Sequence, residues 1–315
     1  MEEPGGTGEG FHESVMVQEV LEALEGARDG IILDGTLGGG GHAEAMLERW
    51  SRCRILGVDR DPEAVREARR RLQQFADRVR ILEMRFDEAM DDAELRREGL
   101  DGALLDLGVS SRQLDADRRG FAFREGLPLD MRMEGEGEGW TAADLLNQEE
   151  EGELARVFRE YGEEPRARRL AREVVRRRER HPFRTSDDLV AALSATLQRS
   201  PSPKEKARIF QSLRIAVNHE LSVLERTLPR LRDRLRPGGV VAVMAYHSLE
   251  DRLVKNSFRE WSRACVCPPG LPICACRGTA LGSPLFRGPR RPGLQEVKRN
   301  PRARSALLRA WRKAL

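Results

Sequence analysis

Lysine, cysteine and tyrosine are all scarce in this chain, and each shortage narrows what the protein can be. Only five of the 55 basic residues are lysine, so arginine carries the positive charge. A GC-rich coding sequence produces that bias by itself, although arginine's planar fork also suits phosphate. Five cysteines, an odd number in 315 residues, argue against a disulfide framework. No apolar run approaches the ~20 residues that a bilayer span requires. Residues 1–11 are acidic and glycine-rich and lack the basic and apolar regions of a signal peptide, so the expected compartment is the cytoplasm. A field of one sign is missing as well. The formal net charge is only +3, and any basic surface must be local.

Apolar material is ample by contrast: 39% of residues are hydrophobic beneath a surface fed by 34% charged ones. The length suits one large α/β domain or two domains. Short apolar runs at Gly30–Asp34, Arg54–Asp59, Arg78–Glu83 and Gly102–Asp106 alternate with amphipathic segments at Val15–Leu24, His42–Trp50 and Pro62–Phe75. Fully apolar short strands between helices predict a parallel sheet covered on both faces, a doubly wound fold. From Leu114 to Ser212 the pattern changes to helices alone, at Ala142–Gln148, Glu149–Tyr161, Pro165–Arg180, Ser186–Gln198 and Lys204–Asn218. After a helix at Leu221–Leu235 and a turn at Arg236–Gly239, the run Val240–Ala245 restores the α/β signature. The reading is a discontinuous α/β domain, residues 1–113 and 213–315, interrupted after its fourth strand by a helical domain, residues 114–212.

The first strand runs into Asp34-Gly35-Thr36-Leu37-Gly38-Gly39-Gly40-Gly41-His42 and then a helix. Glycines there allow positive φ and close approach of a ligand, and the helix N-terminus adds unsatisfied N–H groups. Asp59 ends the second strand, where such folds place an acid against ribose hydroxyls. Gly38-x-Gly40-x-x-Ala43 also fits the dinucleotide fingerprint, so the loop alone leaves a nicotinamide enzyme open. Asp34 and Asp106, two further acids ending strands, favour a cationic sulfonium over a pyrophosphate. Each could instead merely cap a loop.

Longer motifs occur in order around these positions: Asp59-Arg60-Asp61-Pro62, Asp106-Leu107-Gly108-Val109-Ser110-Ser111-Arg112-Gln113-Leu114-Asp115, Arg119-Gly120-Phe121-Ala122-Phe123, Pro128-Leu129-Asp130-Met131-Arg132-Met133, Tyr246-His247-Ser248-Leu249-Glu250-Asp251-Arg252 and Asn300-Pro301-Arg302-Ala303-Arg304-Ser305. From about His12 to the C-terminus the series resembles the bacterial 16S rRNA cytosine-N4 methyltransferases. That resemblance implies a class I, Rossmann-like methyltransferase sheet with an inserted all-helical substrate-recognition domain. It implies S-adenosyl-L-methionine as cofactor and N4 of cytosine 1402, in the 16S rRNA of the small ribosomal subunit, as target. Carried over by motif, the cofactor contacts are Gly40, Gly41, His42, Asp59, Phe86, Asp106 and Gln113.

An exocyclic amine is a poor nucleophile, so positioning and acceptance of its protons must drive the reaction. Asp106 and His247 are the candidate catalytic groups. Histidine is a common general base, but beside Ser248, Glu250 and Asp251 His247 reads equally as structural. Tyr246 is placed either to stack on the target base or to pack in the core. Asp106-Leu107-Gly108-Val109 departs from the Asp-Pro-Pro-aromatic motif of amino methyltransferases, which leaves the proton acceptor unassigned. Two basic segments, Arg166–Arg180 and Arg287–Lys313, are the expected rRNA-facing elements. Cys265, Cys267, Cys274 and Cys276 could ligate zinc, but their Cys-x-Cys spacing is tighter than the usual knuckle. Reduced thiols in a surface loop, without metal, are expected. Other readings are a methyltransferase for DNA or a small molecule, and a non-catalytic ribosome-assembly factor that kept the fold.

Overall fold

The computed structural model describes residues 14–108, 119–134, 139–268, 273 and 275–315. Five parallel strands form its centre: β1 (Ile31–Asp34), β2 (Arg54–Asp59), β3 (Val79–Glu83), β4 (Leu100–Asp106) and β5 (Leu235–Ala245). With β6 (Gly282–Pro284) and β7 (Leu307–Lys313) they make a seven-stranded sheet in the order β3-β2-β1-β4-β5-β7-β6. Successive side chains on a strand face opposite ways, and here both ways lead to helices. Thus Ile32, Leu104 and Ala242 enter one apolar layer with Leu24, Met46 and Ala68. Their neighbours Leu33, Leu105 and Val243 enter the other with Leu228, Val254 and Phe258.

Two parts of the sheet differ from the expected purely parallel one. β7 runs antiparallel to β5, and β6 antiparallel to β7. β7 lies inside the basic C-terminal segment: Leu308, Ala310 and Trp311 are buried, and the Trp311 ring sits 5.1 Å from Trp261. Part of that segment is therefore core. The second difference is at Arg236–Gly239, expected as a turn. β5 already begins at Leu235, and a register shift between Leu100 and Gly102 absorbs the irregularity. Gly238 permits this kink because it takes φ +79.

Helices Ala142–Gln148, Glu151–Glu160, Ala167–Arg178, Ser186–Leu197 and Pro203–Asn218 follow β4. They enclose an apolar cluster drawn only from Phe121 to Leu213, including Phe158, Leu170, Phe183 and Leu193. Their ends carry ordinary signals. Thr141 and Ser202 accept from the amides of Asp144 and Glu205, each in a reciprocal capping box. A buried polar junction ties this part to the sheet. The Arg119 guanidinium donates to both oxygens of Asp61 at 3.1 and 3.0 Å, and to the carbonyls of Arg132 and Met133. Asn218 donates to the Met131 carbonyl and accepts from the Met133 amide at 2.7 and 2.8 Å. Among the described residues no helix is long and apolar enough to cross a membrane.

Candidate active site

β1, β2 and β4 each end on an aspartate, and parallel pairing brings Asp34, Asp59 and Asp106 to one edge of the sheet. The glycine loop that follows β1 is anchored to both neighbouring strands. Gly35 donates to the Leu104 carbonyl and Leu37 to the Val58 carbonyl, each at 2.9 Å. Gly40, at φ +82, turns the chain into the helix Gly41–Arg49. A side chain there would have to hold a left-handed conformation and meet Leu72 at 3.2 Å.

Asp59 accepts from the amides of Gly38 at 2.7 Å and Asp61 at 2.9 Å, which fixes its carboxylate beneath the loop. Phe86 opens a short helix just after β3 and is partly buried against the Leu33–Leu105 layer, near Gly35. His42 is buried, and its Nε2 stands 2.8 Å from the Val15 carbonyl. A carbonyl only accepts, so Nε2 carries the proton and Nδ1 shows a lone pair to Asp106, 3.8 Å away. Burial holds the imidazole below its ordinary pKa, so the ring is neutral. Gln113 lies outside the described residues.

The Tyr246 hydroxyl, just past β5, donates to Asp106 Oδ1 at 2.9 Å. Asp106 is itself placed by its amide, which donates to Thr36 Oγ1 at 2.6 Å. Burial pushes the Asp106 carboxyl up to about 7 despite the tyrosine, with Glu250 adding to the rise. Burial likewise pushes Asp34 up to about 7 and raises Asp59. The tyrosine is held in turn from below. Glu250 Oε2 accepts from the amides of Tyr246 and His247, at 2.9 and 3.3 Å.

His247 caps the helix Ser248–Trp261, its Nδ1 accepting from the Glu250 amide at 3.4 Å. Its Nε2 comes within 3.2 Å of Glu250 Oε1, though off the line of a good hydrogen bond. Burial opposes the charge on Glu250, yet His247, Arg214 and the Tyr246 amide together hold its carboxyl below the usual range. Arg214 is also paired with Glu220 through two contacts of 2.8 Å.

Three acids displaced upward by burial form a donor set that suits one kind of guest. A pyrophosphate would add negative charge where ionisation is already resisted. A sulfonium with its amino group adds positive charge, and a ribose diol supplies protons for Asp59. The residues present therefore fit S-adenosylmethionine. Residue type and spacing had singled out the loop and the three acids. They did not single out Thr36, Glu250 or the Asp61–Arg119 pair, although Asp61, Arg119 and Glu250 all stand inside the long motifs.

A profile of the MraW methylase family matches residues 9–314. The Ribosomal RNA small subunit methyltransferase H of Gemmatimonas aurantiaca is 52% identical over 314 residues, 99% of this chain and 98% of the relative. The protein of the same name from Heliobacterium mobile is 45% identical over 308 residues, 96% of this chain and 98% of that one. This chain belongs to the MraW methylase family, whose methyl donor is S-adenosylmethionine.

Proposed function

We propose that this protein methylates the exocyclic N4 amine of cytosine 1402 in the 16S rRNA of the small ribosomal subunit. The relatives' names support the class of substrate, and the residue-level resemblance supports the base and its position. When bound, S-adenosylmethionine supplies an electrophilic methyl group. Gly40, Gly41, His42, Asp59 and Phe86 are its expected contacts, with Asp106 at the methionine end and Gln113 the remaining candidate. The α/β part, residues 1–113 and 213–315, then carries the chemistry, and residues 114–212 recognise the substrate.

The observation that carries the reading is the Tyr246–Asp106 pair. Tyr246 occupies Oδ1 and leaves Oδ2 to accept an N–H of the target amine. A carboxyl displaced to about 7 can also take the proton that the amine releases. Of the two candidate bases we therefore assign this role to Asp106. His247 and Glu250 position Tyr246, since both backbone amides at that turn end on the Glu250 carboxylate. The extruded cytosine reaches the crevice as in other base-modifying enzymes.

The test is methyl transfer from labelled donor onto small subunits from a strain lacking this enzyme, followed by nucleoside analysis. Label in N4-methylated cytidine is expected, and label confined to a ring carbon or a ribose overturns the assignment. Asp59→Ala should weaken cofactor binding in calorimetry while leaving the circular dichroism unchanged. Unaltered affinity removes Asp59 from the site.

A further inference from the structure

The cysteines of the loop between the helix Ser248–Trp261 and β6 take no part in the chemistry above. That connection is 20 residues long and, among the described residues, contains neither helix nor strand. Loops of that length inside a compact fold are uncommon unless something other than regular structure holds them. Its neck is tied: Leu281 donates to the Trp261 carbonyl at 2.9 Å, and Arg277 donates to the carbonyls of Glu260 and Arg263 at 2.6 and 3.0 Å. Beyond the neck, the sulfurs of Cys265, Cys267 and Cys276 all lie within 4.8 Å of one another.

We propose that Cys265, Cys267 and Cys276 form a thiolate site for a structural zinc ion. Two observations converge on a metal. Sulfurs bound to one tetrahedral zinc at ~2.3 Å stand about 3.8 Å apart. Sγ of Cys265 and Sγ of Cys276 are 3.9 Å apart, the span a shared ion requires and far beyond a bonded pair at ~2.05 Å. The thiolate charge is also provided for. The Val266 amide donates to Cys276 Sγ at 3.2 Å, and the Ala275 amide to Cys267 Sγ at 3.4 Å. Each amide comes from one Cys-x-Cys segment and serves a sulfur of the other. Such outer contacts orient and stabilise metal-bound ligands.

Soft sulfur selects zinc over calcium or magnesium, and a ligand set without a reacting group points to structure rather than catalysis. The sequence repeats the Cys-x-Cys pair at Cys274, which lies outside the described residues. The cluster sits away from the cofactor crevice. The helix leaves the crevice at Ser248, and Trp261 at its other end packs on Trp311, which pairs with Val241 near the start of the buried run of β5. Zinc would fix the loop that delivers the chain to β6.

The test is metal analysis of the full-length protein, purified reduced and without chelator. About one equivalent of zinc per chain is expected, falling at least tenfold in Cys265→Ser and in Cys276→Ser. Cys53→Ser, which alters a buried cysteine outside the loop, should keep its zinc. Cobalt exchanged into the site should show sulfur-to-metal charge transfer in the near ultraviolet, which a merely misfolded variant cannot imitate. The proposal fails if the reduced protein takes up neither ion. It fails equally if the zinc content is unchanged in Cys265→Ser, or if the purified protein holds these sulfurs as a disulfide.

Discussion

Two buried polar regions lie side by side in this molecule and treat carboxylates in opposite ways. At the junction with the helical segment, both oxygens of Asp61 accept from Nη2 of Arg119, and Asn218 satisfies the backbone around it. In the crevice, two residues earlier in the sequence, Asp59 is hydrogen-bonded by backbone amides, and burial raises it together with Asp34 and Asp106. One region is finished by the fold; the other resists its own ionisation until a cation arrives. The difference separates structural charge from functional charge without reference to residue type. Loss of a charge should therefore harm one region and relieve the other.

The largest expected effect is at the junction. Arg119→Ala takes the guanidinium from buried Asp61, which still accepts from the Glu63 amide as a helix cap, so denaturant unfolding should show a loss of about 3 kcal/mol. A loss under about 1 kcal/mol would mean that water reaches Asp61 and the contrast is false. In the crevice the sign reverses. The Asp106 carboxyl lies near 7 in the folded state, above its ordinary value of 3.8. Its contribution to stability is complete below about pH 4 and is lost as pH rises through 7. Asp106→Asn cannot ionise, so without cofactor it should be more stable than the parent at pH 8. The expected gain is about 2 kcal/mol, half of what the full displacement implies, because water reaches part of the carboxyl. The two proteins should converge at pH 4. A destabilised Asp106→Asn at pH 8 would break the comparison from this side.

The crevice was legible in the sequence because its acids end apolar strands and its glycines cluster, both of which are local signals. The junction was not. Asp61 and Arg119 are far apart in the chain, and nothing in their spacing joins them. The Tyr246–Asp106 bond likewise spans 140 residues. His247 invited a catalytic reading by residue type, yet His247-Ser248-Leu249-Glu250 also carries the pattern of a helix N-cap with glutamate three positions on, and that is the conformation it takes. β7 escaped detection because Arg309, Arg312 and Lys313 interrupt its apolar residues. A count of charges saw a basic tail where alternation placed Leu308 and Ala310 in the core. Several of those charges are already engaged: Arg309 with Asp251, Arg290 with Glu22, and Lys313 with three backbone carbonyls.

A smaller effect tests the crevice through its guest. Asp34, Asp106 and Tyr246 face a space with neutral His42 on one side and Glu250 behind. Ionised carboxylates favour a sulfonium, so affinity for S-adenosylmethionine should rise as pH passes through 7. The demethylated product lacks that charge, and its affinity should change less. The preference for donor over product should grow about tenfold between pH 6 and 8 in calorimetry, the equivalent of about 1.4 kcal/mol. A flat ratio would show that the acids are ionised throughout, and the crevice would then resemble the junction after all.

The smallest effect concerns the arginines that neither region uses. On the helix Ala167–Arg178 the inner face is Leu170, Ala171 and Val174, while Arg176 and Arg177 pair with Glu173 and Arg178 bonds two carbonyls. Arg168 and Arg169 are exposed on the same helix. If they meet phosphate, each replacement by alanine should lower the slope of log affinity against log salt by about 1. Affinity for small-subunit RNA should fall only a few-fold, and uniformly across sequences. Arg176→Ala is the contrast, because Glu173 already engages that guanidinium, and its salt slope should stay near the parent's. Equal slopes in all three variants would mean that this face is solvated surface, and that phosphate is met by another part of the molecule.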